Sequence, residues 1–241
     1  MTERTHAFLA ARYYEYLTSR FGDRGKAAFV HATRYYAEQR GRRMARRAIR
    51  DGEELTWTSY YRYGEWVSSP ECIAEGTSNI HSFIQYQPEG VLKITRCPWK
   101  AQFEDMGVNG TAGALYCSVL DDSIARGFNP RLRYDIDQTM ETEEYCIHRL
   151  QDLDFTPETD LSKRPGVTKD FDYHCGHLYW SFCTVAEAVF GEEGREIADR
   201  AAARVNRDNR AQPLLARARK IKPAVHVAAT WRQPATPSAV A

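Results

Sequence analysis

Cys117 and Asp121 stand four residues apart in GTAGALYCSVLDDSIARG, a stretch with helical character, so both side chains leave one face. A thiol beside a carboxylate suits a nucleophile with a positioning group, or a carboxylate that grips a cationic substrate. The same spacing also describes a small buried thiol next to a solvated acid. Gly113, one turn earlier, leaves room for another group to approach. Cys146 and His148 alternate within EEYCIHRL, which reads as a strand, so they share a face that Glu144 joins. Such a pair suits a thiolate–imidazolium couple or two metal ligands. Cys97 sits at a strand end beside Pro98. His174, Cys175 and His177 form H-C-G-H at an expected strand-to-helix boundary, with Tyr179 and Trp180 following, and an imidazole there would serve as a general base.

Several chemistries lack their signatures. There is no G-x-x-x-x-G-K-[ST] phosphate loop, no G-x-G-x-x-G after a strand, no G-x-S-x-G elbow and no H-E-x-x-H. None of the six cysteines forms a C-x-x-C pair, and the first thirty residues contain no apolar signal-peptide core, so reduced thiols in a cytoplasmic protein are expected. A mean hydropathy of −0.59 and the absence of a long apolar run argue against a membrane span.

The elements that must position these residues alternate without a regular βαβ rhythm. Residues 6–20 and 25–50 read as two helices, followed by strands at 55–63, 82–87, 90–96, 132–137 and 143–150. The Cys117 helix falls between the third and fourth of these, with Gly127 as its stop. A loop is expected at 154–169, a long aromatic helix up to Gly191, and a basic helix from 192 to 219 that Pro213 breaks or kinks. Phe21-Gly-Asp-Arg-Gly-Lys26 and Phe190-Gly-Glu-Glu-Gly-Arg195 echo each other at two helix starts. The expectation is an α+β fold, a central, mostly antiparallel sheet covered by N-terminal and C-terminal helices, as one domain over 1–225 with a mobile tail at 226–241.

The net charge of +1 conceals a partition. Residues 1–50 carry 12 Lys and Arg against 4 Asp and Glu, residues 51–194 carry 11 against 25, and residues 195–241 carry 10 against 3. All the candidate site residues lie in the acidic middle, which suits a cationic small molecule. No recognised nucleic-acid module accompanies the basic ends, so nucleic acid is an unlikely partner.

The order of an F-G-x-x-G helix, Y-R-Y-G-E-W, R-C-P-W, G-A-L-Y-C-S-V-L-D-D-S-I-A-R-G-F-N-P and E-E-Y-C-I-H resembles the L-2-amino-thiazoline-4-carboxylic acid hydrolase family over most of residues 14–200. The resemblance implies hydrolysis of a cyclic amidine: water adds at the ring carbon between nitrogen and sulfur, and the ring opens to an N-carbamoyl amino acid. Under that reading Asp121 would hold the amidinium, His174 or His177 would act as base, and Cys117 would attack or line the pocket. Arg96 would meet a substrate carboxylate, with Tyr116, Glu144, His148 and Trp180 completing the pocket. No cofactor is required. The arrangement is also similar, more distantly, to 4-vinyl-reductase-type small-molecule-binding domains. That likeness implies a non-catalytic zinc-containing sensor, with Cys97, Cys117 and Cys146 as the ligands. Tyrosine-rich helix faces leave a homo-oligomer open.

Overall fold

The computed structural model describes residues 1–208. Eight helices and four strands follow one another as α1 (Glu3–Phe21), α2 (Asp23–Arg50), α3 (Trp57–Arg62), α4 (Pro70–Ala74), β1 (Ile80–Gln85), β2 (Gly90–Arg96), α5 (Pro98–Asp105), α6 (Ala114–Phe128), β3 (Tyr134–Gln138), β4 (Cys146–Leu150), α7 (Phe171–Phe190) and α8 (Glu192–Asp208). The expected kink at Pro213 and the tail from 226 lie outside the described residues. The fold is α+β, with an antiparallel sheet in the order β1-β2-β4-β3. Among the described residues no helix is long and apolar enough to cross a membrane.

The two F-G-x-x-G segments build matching hairpins. Gly22 and Gly191 take positive φ of 55° and 66° where α1 turns into α2 and α7 into α8. Three residues on, a Cβ on Gly25 would sit 2.0 Å from the Leu17 carbonyl oxygen, and one on Gly194 would sit 2.1 Å from that of Ala186. Phe21 and Phe190 stack face to face with ring centroids 3.7 Å apart. The hairpins pack on each other through Leu17, Phe29, Tyr13, Phe182 and Ala198, forming the larger core.

Helix α6 lies between these helices and the sheet. Its approach to α2 is as close as backbone allows: a Cβ on Gly41 would fall 2.1 Å from the Ile124 carbonyl oxygen, and one on Gly127 would fall 2.4 Å from that of Glu38. Gly127 is therefore a crossing point inside α6 rather than its stop, and the helix runs on to Phe128. On its other side α6 meets β3 and a second core of Trp57, Leu92, Ala125, Tyr134, Leu150 and Phe155.

The strand expected at 55–63 is a helix. Thr56 caps it by accepting from the Ser59 N–H, and Trp57, Tyr60 and Tyr61 stand at i, i+3 and i+4. Trp57 is buried and donates from Nε1 to the Gln151 carbonyl at 2.8 Å, so the aromatic residues follow helical spacing that their β propensity disguised. Pro70 likewise opens a short helix, α4, behind the Ser69 cap. Strands β1, β3 and β4 are shifted or trimmed by two or three residues at their starts, and β2 spans the expected residues.

Candidate functional site

A cavity of about 200 Å³ opens between α2, α3, α6 and the sheet. Its walls are largely apolar and aromatic: Met44, Leu92, Ile94, Leu120, Tyr60, Trp66, Trp99 and Tyr134. Into this setting the fold brings Cys97, Cys117, Cys146, Asp121, Tyr116 and His148 from the sequence-derived set, together with Arg40, His81 and Lys163. Few polar groups in an apolar concavity is the usual composition of a small-molecule site.

The helical spacing works as the residues suggested. Tyr116, Cys117, Leu120, Asp121 and Ile124 repeat at i, i+1, i+4, i+5 and i+8, so one face of α6 forms a wall. Cys146 and His148 face it from β4, where they pair with Ile94 and Leu92 of β2. His148 Nδ1 lies 2.7 Å from the Tyr134 hydroxyl, and burial lowers its pKa, favouring the neutral ring.

Charges in the cavity are unpaired. Asp121 makes no ion pair or hydrogen bond with the described residues, and neither does Arg40, whose Nε is buried without a partner. They line the same cavity without bridging to each other. Lys163 donates from Nζ to the Tyr61 carbonyl at 2.6 Å; burial and then the Arg40 charge lower its pKa to about 8. Tyr116 Oη is buried and also lacks a partner. A buried polar group left open in this way is costly unless a ligand or water completes it.

The thiols are held protonated. Burial pushes Cys97 up to about 12 and Cys146 to about 11, and it raises Cys117 well above its ordinary value, with Glu141 adding to the shift. Glu141 stands behind Cys117: its Oε1 accepts from Sγ at 3.7 Å, while Oε2 is buried without a partner. Burial raises this carboxyl to about 7, against the opposing pull of Lys100. Its seat depends on local backbone. A π-helical turn, Asn109–Gly113, leads into α6, and a Cβ on Gly113 would sit 2.5 Å from Glu141 Oε2. The room expected beside Gly113 is filled by this carboxylate.

Other expected residues lie elsewhere. His174 and His177 share a face of α7, inside the helix rather than at a strand boundary, and that face turns into the helical core. His177 sits between Gln39 Oε1 at 2.8 Å and the Arg43 guanidinium at 3.0 Å, and His174 Nε2 lies 3.4 Å from the Glu65 carbonyl. Burial lowers both pKa values, His174 to about 3, so these rings stay neutral there. Arg96 donates from Nε to the Ser78 carbonyl at 2.9 Å, off the cavity wall. Glu144 is exposed in the turn before β4, which begins only at Cys146, and Trp180 packs beside Tyr179 on α7. Although three cysteines reach one cavity, no group of three or more His, Cys, Asp or Glu among the described residues is arranged to hold a metal ion.

Arg40, Lys163 and Glu141 were not singled out by pattern. Arg40 is one of six arginines between 40 and 50, Lys163 lies in an irregular loop, and Glu141 shares its segment with Glu143 and Glu144. Only tertiary placement separates each from its neighbours.

The family model described as L-2-amino-thiazoline-4-carboxylic acid hydrolase matches residues 1–147. That span contains Arg40, Cys97, Tyr116, Cys117, Asp121, Glu141 and Cys146, and it stops short of His148, Lys163, His174 and His177. No match was found among curated proteins or among solved structures.

Proposed function

Since the chain belongs to the L-2-amino-thiazoline-4-carboxylic acid hydrolase family, we propose that its cavity binds and opens a small cyclic amidine bearing a carboxylate, by cleavage of a ring carbon–sulfur or carbon–nitrogen bond. The observation that carries this reading is the coexistence of unpaired Asp121 and unpaired Arg40 in one aromatic cavity. A ligand with a cationic amidinium at one end and an anionic carboxylate at the other satisfies both.

In this reading Arg40 takes the role that the sequence assigned to Arg96: its guanidinium grips the substrate carboxylate, with Lys163 beside it. Asp121 holds the amidinium nitrogens and stabilises positive charge on the carbon between them, which makes that carbon the electrophile. The neutral His148 and the aromatic walls exclude bulk water, strengthening both charge contacts. His174 and His177 serve the fold, since neither lines the cavity.

The test is incubation of the purified chain with L-2-amino-thiazoline-4-carboxylate and a panel of cyclic amidines, lactams and imides, followed by product mass. The expected result is a gain of one water on an amidine carboxylate and on no neutral lactam. Turnover of lactams or imides alone would overturn the assignment of Asp121 and Arg40 as ligands for opposite charges.

A further inference from the structure

Among the described residues, Cys117 is the thiol on the cavity wall whose sulfur donates directly to a carboxylate. That carboxylate, Glu141, is only 4% exposed, and its second oxygen has no partner. A purely structural carboxylate in so buried a position would normally have both oxygens bonded. Gly113 and the π-helical turn keep the space it occupies.

We propose that Cys117 and Glu141 form a nucleophile–base dyad, in which Cys117 attacks the amidine carbon and Glu141 relays the proton. The choice of electrophile rests on the function proposed above, whereas the dyad rests on the contact itself. As the Cys117 sulfur bonds to the amidinium carbon, its proton passes to the Glu141 carboxylate. The ring carbon–sulfur bond then breaks, and the departing sulfur takes that proton from Glu141. An isothiouronium remains linked to Cys117. Water adds to the same carbon and gives a proton to Glu141; the Cys117 sulfur leaves, recovers the proton, and the N-carbamoyl product departs while the amidinium's extra proton goes to solvent. One thiol replaces another in the first half, so no oxidant or second substrate is needed.

The surroundings explain why the dyad rests uncharged at sulfur until substrate arrives. Glu141 faces Lys100 and Glu104 of α5, Cys97 at the head of that helix, Cys117 of α6 and Cys146 of β4. Lys100 is the one cation of this set, and it draws Glu141 toward ionisation against burial. Asp121 and Glu141 both oppose a thiolate at Cys117, and a bound amidinium reverses that field.

The test uses the full chain with 2-chloroacetamidine, a cationic electrophile of amidine shape, and neutral 2-chloroacetamide, each rate divided by its rate with a free thiol. The dyad predicts that peptide mapping finds the amidine on Cys117, with labelling slowed about 100-fold by Glu141→Gln. Glu141→Asp, which keeps the charge but withdraws it, should show a smaller loss, and this variant decides the matter if Glu141→Gln does not fold. Wild-type labelling should rise through the pH range near 7 where Glu141 ionises, a step absent in Glu141→Gln. Equal rates in wild type and both variants, or labelling of Cys97 or Cys146 ahead of Cys117, would overturn the dyad. So would undiminished thiazoline turnover by Cys117→Ser. Failure to turn over the thiazoline, combined with Glu141-dependent labelling, would remove the proposed substrate and leave the dyad standing.

Discussion

Helix α2 presents three arginines at successive turns, and they meet two different fates. Arg43 and Arg47 close on the Glu65 carboxylate, which is fully buried, at 2.8 and 2.6 Å, and Arg43 also bonds His177. Arg40, one turn earlier, adds to the positive field on Glu65 but forms no ion pair with it, and it enters the cavity that holds Asp121. In the first cluster both arginines share a protein carboxylate, which ties it to the fold. The second leaves opposite charges open and is suited to a ligand. The difference teaches that burial and charge alone do not mark a functional group; what separates Arg40 from Arg43 and Arg47 is that it forms no ion pair and lines a cavity.

The largest effect should come from breaking the closed cluster. Glu65→Ala leaves two largely buried guanidinium groups without their carboxylate, so urea unfolding should show a loss of about 3–5 kcal/mol. The cluster also predicts an acid limit. Burial works against ionisation of Glu65, but Arg43, Arg40 and Arg47 overcome it and hold its pKa at about 2. Because the folded value lies below the unfolded one, its contribution is present above about pH 4.5 and is lost as pH falls toward 2. Melting temperatures across that interval should fall in the wild type and change less in Glu65→Gln.

Opening the second cluster should have the reverse signature. Arg40→Met removes a half-buried cation that has no ion pair, so stability should change little, while KM for an amidine carboxylate should increase about 10- to 100-fold through loss of a charge-assisted contact worth about 1.5–3 kcal/mol. Lys163 sharpens this further. Its lowered pKa of about 8 means that the cation is lost as pH passes that value, so KM should climb above pH 8 and the climb should disappear in Lys163→Met. The comparison would break if Arg40→Met unfolded the protein and left KM unchanged.

His177→Ala belongs with the closed cluster: a loss of about 1–3 kcal/mol in stability is expected from the unsatisfied Gln39 and Arg43 groups, with kcat of the folded protein unchanged. The smallest effect is Glu144→Gln, an exposed turn residue, for which neither melting temperature nor kcat/KM should move measurably.

These contrasts also mark what pattern reading reached. Cys117 with Asp121, and Cys146 with His148, were legible because helical and strand periods fix a shared face from sequence alone. The α+β class, the antiparallel sheet and the family were legible too. H-C-G-H was legible as a shared face, but period does not say which side of α7 is occupied, and here that side holds Gln39, Arg43 and Tyr36. Trp57, Tyr60 and Tyr61 misled in the opposite sense, since aromatic content outweighed the Thr56 cap. Arg40 was hidden because its position depends on the Gly41–Gly127 crossing of α2 and α6, a contact between segments far apart in sequence.

The most direct test of the account is a four-way comparison of kcat/KM on L-2-amino-thiazoline-4-carboxylate, or on the best amidine carboxylate found, for wild type, Asp121→Asn, Arg40→Met and His177→Ala, with folding checked by thermal melts. The open cluster predicts losses of about 100-fold for Asp121→Asn and about 10- to 100-fold for Arg40→Met in proteins that melt like the wild type, with His177→Ala less stable but active. Full activity in Asp121→Asn together with an inactive, normally folded His177→Ala would contradict it.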